Sequence, residues 1–111
     1  MSERAACYRR LNDIPETLGT AVIVQTMVFG NAGPTSGSGV GFSSNPADGS
    51  KLPYVDYLPD AQGEDVVSGR RNALGSADIE RLLPAAWRDL TRYAAMLEQA
   101  FADMQDFEFT V

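Results

Sequence analysis

A long amphipathic helix near the end of the chain restricts the set of possible folds. Apolar residues recur at positions 83, 86, 87, 90, 94, 97, 101 and 104, which is the spacing of one helix face. Pro84 suits the first helical position, where its missing N–H has no helical partner. The stripe is too short for the repeated heptads of a coiled coil. The pattern therefore predicts a helix of about 20 residues that packs on a sheet.

The residues that follow this helix, 106–111, alternate polar and apolar side chains, which predicts a half-buried strand. The apolar side chains would face a core and the polar side chains would face the other way. Asp106 and Glu108 would then lie on one strand face, roughly 6.5 Å apart along the chain. Two carboxylates at that separation can share a cation or a metal–phosphate unit, so this strand is a candidate metal site.

The composition narrows the classes of protein. The chain has 111 residues, enough for one domain at most, and its net charge of −6 argues against nucleic-acid binding. No apolar run reaches the roughly 20 residues of a membrane helix, and no apolar signal core follows the N-terminus. The single cysteine, Cys7, fits a reducing cytoplasm. Because histidine is absent, a metal here would be a hard cation such as Mg²⁺, bound through oxygen.

Three stretches before the helix predict strands joined by turns. Residues 21–29 carry the strongest signal, an almost continuous run of strand formers, so both faces should be covered, or one face by a ligand. Residues 30–41 are rich in Gly and Ser and predict a hairpin loop that leads into a strand at 39–44. Residues 52–58 predict a third strand, which the neighbouring prolines confine to an edge or a bend.

Residues 60–69 combine an amide, a glycine and two adjacent carboxylates with a short apolar strand at 66–67. This composition fits either a surface turn or one side of a ligand site. In an extended chain Glu64 and Asp65 would point to opposite sides, so only one of them would face a ligand. The next two residues are cationic, Arg70 and Arg71, and they would be either anion ligands or surface residues.

Together these elements predict an α+β fold, in which one long helix covers a mainly antiparallel sheet. Ser76 would cap a short helix that precedes the long one. Residues 1–20 would form a lead-in segment, and residues 21–111 would form the domain itself.

Four separated blocks, in family order, resemble the nucleotide-binding domain of the pyruvate phosphate dikinase family. The blocks are AVIVQTMVFGN at 21–31, TSGSGV at 35–40, AQGEDVVSG at 61–69 and MQDFEFT at 104–110. Residues 8–15 match as well, and phosphoenolpyruvate synthases are more distant relatives. The resemblance implies that residues 21–111 are part of an ATP-grasp subdomain. The family converts ATP, pyruvate and phosphate to AMP, phosphoenolpyruvate and pyrophosphate, with a phosphohistidine on a separate swivelling domain.

The resemblance also implies roles for individual residues, with ATP and Mg²⁺ as the ligands. The strand at 25–28 would line the adenine pocket, where the backbones of Thr26 and Met27 read the base. Residues 35–39 would lie near the phosphates. Glu108 would be the Mg²⁺ ligand. The implied nucleotide-binding residues are Gln25, Thr26, Met27, Val28, Gln62, Gly63, Glu64, Asp65, Val66, Val67, Asp106 and Glu108.

The sequence also departs from the family pattern. Ser43 and Ser44 stand where the family has Thr-Arg, so a cation is lost. The family continues past residue 111 into a strand whose Gln and Arg complete the metal and phosphate site, and it has a preceding basic subdomain. Neither these parts nor the phosphorylatable His and the pyruvate-binding barrel are found in this sequence. We therefore expect a truncated or split piece that is inactive alone.

The alternative is a degenerate paralogue without enzymatic activity, which acts as a protein-interaction or self-associating module. Its motivation is the outer edge of the strand at 106–111, which is open unless another chain covers it. The expected partners are accordingly the remaining dikinase domains or a second copy paired through that edge. No membrane or nucleic-acid partner is expected.

Overall fold

The structure is a computed structural model that describes residues 2–69 and 72–111, so Arg70 and Arg71, the candidate anion ligands, lie outside the described residues. Four helices and three strands are found within these ranges. In chain order they are α1 (Glu3–Leu11), β1 (Gly37–Phe42), β2 (Tyr54–Pro59), α2 (Gly63–Val67), α3 (Ser76–Leu82), α4 (Pro84–Phe101) and β3 (Asp106–Thr110). The α+β class and the antiparallel sheet are thereby confirmed.

The sheet has the order β2-β1-β3, with both pairs antiparallel, so the glycine-rich strand β1 is central. Glycine occupies every second position of β1 and faces the core. A Cβ atom at Gly39 would lie 2.4 Å from the Phe109 ring, and one at Gly37 would lie 2.2 Å from the Tyr57 hydroxyl. Because these positions carry no side chain, Tyr57 and Phe109 extend across β1 and stack with ring centroids 6.2 Å apart.

The core lies on this aromatic face of the sheet. Val55 and Tyr57 of β2 and Ile79 of α3 are completely or almost completely buried. Six partly buried side chains from β3, α4 and the connecting segments pack around them, namely Leu74, Leu83, Trp87, Leu90, Phe107 and Phe109. The predicted inward side of the terminal strand is thus confirmed for both of its phenylalanines.

Helix α4 starts at Pro84, as predicted, and ends where Ala102 adopts a left-handed conformation with φ of 56°. Its first half contributes Trp87 and Leu90 to the core, and Ala94 is buried. Its second half does not continue the buried stripe, because Phe101 is 66% exposed. The apolar periodicity therefore predicted the helix but not how much of it is buried in this chain.

The strongest strand prediction is wrong, because residues 21–29 belong to no strand or helix. Val22, Ile23 and Val24 are 82–93% exposed. Strand formers favour an extended backbone, but a strand exists only where a neighbouring segment accepts its hydrogen bonds and covers its side chains. None of the described strands pairs with residues 21–29.

Two smaller predictions also need correction. Val66 and Val67 lie in helix α2 and not in a short strand. Gly75 is the cap of α3, while the Ser76 hydroxyl donates to Pro53 O at 2.9 Å and accepts from Val55 N at 3.2 Å. The lead-in segment contains helix α1. Within the described residues, no helix has the combined length and apolarity to cross a membrane.

Candidate functional site

The face of the sheet opposite the core carries three carboxylates. Residues directly opposite each other in an antiparallel sheet share a face. Val40 of β1 pairs with Asp56 of β2 on one side and with Glu108 of β3 on the other, and Phe42 pairs with Asp106. The three acidic side chains are exposed. The strand alternation thus places Asp106 and Glu108 on one face, as the sequence predicted, and adds Asp56 across β1.

Helix α2 packs over this face and contacts all three strands. One open cavity beside it, of about 330 Å³, is lined by residues 25–28 and by residues of β1, α2 and β3. Its lining residues are Gln25, Thr26, Met27, Val28, Gly39, Val40, Gly63, Glu108, Phe109 and Thr110. Six residues from three separate blocks of the sequence prediction are therefore brought together. They are Gln25, Thr26, Met27, Val28, Gly63 and Glu108.

A second cavity, of about 310 Å³, lies next to the first on the same face. It is lined by Asp56, Asp106 and Glu108 together with Val67 of α2 and apolar or aromatic residues of β1 and β2. Val40 and Glu108 line both cavities. Glu108 is accordingly the carboxylate at the boundary between the space beside residues 25–28 and the acidic part of the face.

The other predicted residues of the block at 62–67 have a different role in the structure. Asp65 accepts a hydrogen bond from Gln62 N at 3.0 Å, which closes the first turn of α2. The Gln62 amide donates to Asn31 Oδ1 at 3.4 Å. Gln62, Glu64, Asp65 and Val66 are not among the described residues that line either cavity. The Gln62–Asp65 hydrogen bond starts the helix that carries Gly63 and Val67.

The donor set on this face suits a hard cation that is only partly held by protein. Within residues 2–69 and 72–111, no three acidic or sulfur side chains lie close enough together to form a complete metal site. Mg²⁺ is commonly held by one or two carboxylates, with phosphate oxygens and water in the remaining positions. Asp106 and Glu108 fit that pattern as a pair. Phosphate oxygens or water molecules would have to supply the other ligands.

A network around Glu98 fixes the start of β3, and sequence reasoning missed it. The Glu98 carboxylate accepts hydrogen bonds from Ser43 at 2.7 Å, from Ser44 at 2.6 Å and from Lys51. The Ser43 hydroxyl in turn accepts from Gln105 N at 2.9 Å, directly before β3. The hydrogen bonds from Lys51 and the two serines lower the pKa of Glu98 to about 2.

This network gives the serine pair a role that the sequence comparison did not suggest. In the sequence, Ser43 and Ser44 indicated only the loss of a cation. In the structure, their hydrogen bonds to Glu98 join α4 to the end of β1. The four residues of the network, Ser43, Ser44, Lys51 and Glu98, also line a cavity of about 640 Å³. Residues so far apart in sequence carry no local signal of their pairing, so only the fold identifies them.

The chain is similar in sequence to known proteins. A sequence model of the family described as "Pyruvate phosphate dikinase, AMP/ATP-binding domain" matches residues 1–74. The chain is 53% identical over 108 residues to pyruvate, phosphate dikinase of Clostridium symbiosum, covering 97% of this chain. It is 49% identical over 110 residues to the chloroplastic pyruvate, phosphate dikinase of Flaveria pringlei, covering 99% of this chain.

The similarity extends over the whole chain but only over a small part of each relative. A third relative, pyruvate, phosphate dikinase of Rickettsia felis, is 43% identical over an alignment of 116 residues. The chain spans 12–13% of the length of these three relatives. The similarity is far above what a shared fold alone requires, and it covers the strands, the cavity residues and the carboxylates together. The chain belongs to the pyruvate phosphate dikinase AMP/ATP-binding domain family.

Proposed function

We propose that this chain forms one side of the Mg–ATP site of a pyruvate phosphate dikinase and has no dikinase turnover by itself. One observation carries the proposal: the cavity that brings residues 25–28 and Glu108 together. These residues are about 80 positions apart in the sequence, and both line one cavity. The family description, an AMP/ATP-binding domain, supplies the class of ligand.

In this proposal the two ends of the cavity have separate roles. The backbone at Thr26 and Met27 offers donors and acceptors to the adenine base, with Gln25 and Val28 on either side. Glu108, with Asp106 on the same face, holds Mg²⁺. The cation would neutralise phosphate charge during phosphoryl transfer, where electrostatics and positioning supply most of the catalysis. The ATP-grasp fold assignment is part of the same proposal.

Affinity should be low in the isolated chain. Ligand sites generally bury most of the ligand surface, in clefts of about 300–1,000 Å³. This cavity is at the lower end of that range, and Met27 and Val28, which line it, are themselves more than half exposed. One wall offers few contacts to offset the loss of translational and rotational freedom on binding. We expect a dissociation constant of about 1 mM or weaker for Mg–ATP.

Titration calorimetry with Mg–ATP tests this proposal on the chain as it stands. The variant Glu108→Ala should weaken the residual binding further, whereas Glu80→Ala, which removes an exposed carboxylate on α3, should have no effect. No phosphoenolpyruvate should form from ATP, pyruvate and phosphate. Micromolar binding that Glu108→Ala abolishes would contradict the incomplete-site proposal and would identify an autonomous site.

A second candidate function is an interaction module. It is favoured by the exposed apolar residues 22–24 and by β3, which pairs only with β1 among the described strands. An open strand edge can pair with another chain. Light scattering at high concentration tests the self-associating form, because a strict monomer would count against it. Neighbouring reading frames that encode the other dikinase domains would instead favour assembly with those domains.

A further inference from the structure

The loop between residues 21–29 and β1 folds around a buried hydroxyl group. Ser36 is only 7% exposed, although it lies in a stretch of Gly, Pro, Ser and Thr. Its Oγ lies 2.9 Å from Gly30 O and 2.8 Å from Gly33 O, and it accepts a hydrogen bond from Ala32 N at 2.9 Å. The hydroxyl has one proton, so it donates to either Gly30 O or Gly33 O at any one time while it accepts from Ala32 N.

The backbone of the same residue is tied to the sheet and to the segment that enters α2. Ser36 O accepts from the Tyr57 hydroxyl at 3.1 Å and from Asp60 N at 2.9 Å. Gly30 O, which the Ser36 hydroxyl contacts, also accepts from Ala61 N at 2.9 Å. We call Gly30, Ser36 and Ala61 the Ser36 clasp, because they join two chain segments that flank the cavity.

The two segments meet without intervening side chains. A Cβ atom at Gly30 would lie 2.2 Å from Ala61 O and 2.3 Å from Ser38 Oγ, so only glycine permits this approach. Gly30 is five residues or fewer from each of Gln25–Val28, and Ala61 is two residues before Gly63. The Gly30–Ala61 hydrogen bond therefore joins the two chain segments that carry opposite walls of the cavity.

We propose that Ser36 is a positioning residue that holds the wall at residues 25–28 against α2 and so sets the shape of the base-binding end of the cavity. This inference rests on the proposed function. It differs from a phosphate-binding role for the Gly-rich loop, because the Ser36 hydroxyl is directed at backbone atoms inside the protein. The three-stranded sheet has its own ladders and core, so loss of the hydroxyl should loosen the wall and leave the sheet intact.

Amide hydrogen exchange measured by NMR tests the clasp directly. In Ser36→Ala, the amides of Ala32 and Ala61 should exchange about tenfold faster or more, because the first loses its acceptor and the second loses the support of Gly30. Exchange of the β1–β2 ladder amides should be unchanged. Ser36→Thr keeps the hydroxyl and should restore protection, and Ser50→Ala, an exposed serine in another loop, is the control. Unchanged protection of Ala61 in Ser36→Ala, or equal acceleration throughout the sheet, would overturn the proposal.

A second measurement separates positioning of the base from general loss of structure. The affinities of Mg–ATP and Mg–tripolyphosphate are compared by NMR titration. Ser36→Ala should weaken Mg–ATP by about fivefold, as expected for one lost hydrogen bond, and leave Mg–tripolyphosphate unchanged. Equal weakening of both ligands would contradict a role at the base end. If the parent chain shows no measurable binding of either ligand, as the low affinity of an incomplete site permits, the exchange result alone decides whether the clasp holds the two segments together. Micromolar Mg–ATP binding that Glu108→Ala abolishes would instead contradict the proposed function and leave the exchange result valid.

Discussion

Residues 21–29 and strand β1 show opposite relations between sequence and structure. Residues 21–29 are rich in Val, Ile, Met and Phe, yet they form no strand and their apolar side chains are exposed. Strand β1, with the sequence GSGVGF, is poor in strand formers, yet it is the central strand of the sheet. The difference shows that partners on both sides, and not intrinsic propensity, determine which stretch becomes a buried strand in this chain.

The physical reason lies in where the packing comes from. At β1 the side chains of the neighbouring strands supply the packing, because Gly37 and Gly39 leave space that Tyr57 and Phe109 fill. The low side-chain content of β1 is then an advantage, since each glycine admits an aromatic ring from another strand. Residues 21–29 have side chains suited to such a core, but none of the described strands pairs with them and their apolar side chains remain exposed.

The largest expected loss of stability distinguishes two isoleucines in opposite environments, one buried and one exposed. Ile79 is 0% exposed and Ile23 is 84% exposed. Ile79→Ala should lower the free energy of unfolding by about 3 kcal/mol, because it removes buried methyl groups and leaves a cavity. Ile23→Ala should change it by less than about 0.5 kcal/mol. Urea denaturation followed by Trp87 fluorescence measures both, and a comparable loss at Ile23 would show that residues 21–29 are packed in solution.

The second-largest expected effect is a loss of stability when a side chain is added to β1. Gly39→Ala should destabilise the fold by about 2 kcal/mol, because its Cβ would overlap the Phe109 ring at 2.4 Å and Asp56 O at 2.7 Å. Gly19→Ala is the matched control, since nothing lies within 4 Å of a Cβ atom there. Thermal unfolding followed by circular dichroism measures both variants. If Gly39→Ala unfolds at the same temperature as the parent, the aromatic rings do not depend on the glycine positions.

A smaller loss of stability is expected from the hydrogen bond that joins Tyr57 of the core to Ser36 of the loop before β1. Tyr57→Phe keeps the stacked ring but removes the hydrogen bond to Ser36 O, which should cost about 1 kcal/mol. Burial raises the pKa of the Tyr57 phenol, so this bond persists to a higher pH than an exposed tyrosine would allow. Tyr93→Phe, at an exposed position on α4, is the control for loss of a hydroxyl. Equal stability of Tyr57→Phe and the parent would mean that the buried bond contributes nothing.

The smallest expected effect is a pH-dependent loss of stability at the Glu98 network. Hydrogen bonds from Lys51, Ser44 and Ser43 lower the pKa of Glu98 from its ordinary value of 4.5 to about 2. Because the folded pKa lies below the unfolded one, the stabilisation is fully present above about pH 5 and is lost as pH falls towards 2. The effect should be small, since Lys51 is largely exposed and solvent screens the pair.

Melting temperatures recorded from about pH 6 down to about pH 2 test this sign. The parent should lose stability over this interval more steeply than Glu98→Gln, which carries no titrating group at that position. Glu80→Gln, which changes an exposed glutamate on α3, should follow the parent curve. Parallel curves for the parent and Glu98→Gln would show that the carboxylate network does not stabilise the folded chain.

How far the site was predictable differs from residue to residue. The alternation at 106–110 correctly placed Asp106 and Glu108 on one face, because strand periodicity is a local property. The sequence blocks also indicated residues 25–28 and Gly63, which the fold brings around one cavity. The shared role of Val40 and Thr110 in that cavity, and the Glu98 network, required the strand pairing. No local pattern could reveal them, since the partners lie far apart in sequence.

The sequence by itself determined the α+β class, the start of α4 and the alternation of β3, because these depend on local periodicity. It also determined membership of the dikinase domain family, because the matching sequence blocks occur in the same order as in the family. Only the tertiary structure decided that the glycine-rich stretch is the central strand and that residues 21–29 and half of α4 remain exposed. Burial and strand pairing are properties of two segments at once, and the second segment cannot be inferred from the propensity of the first.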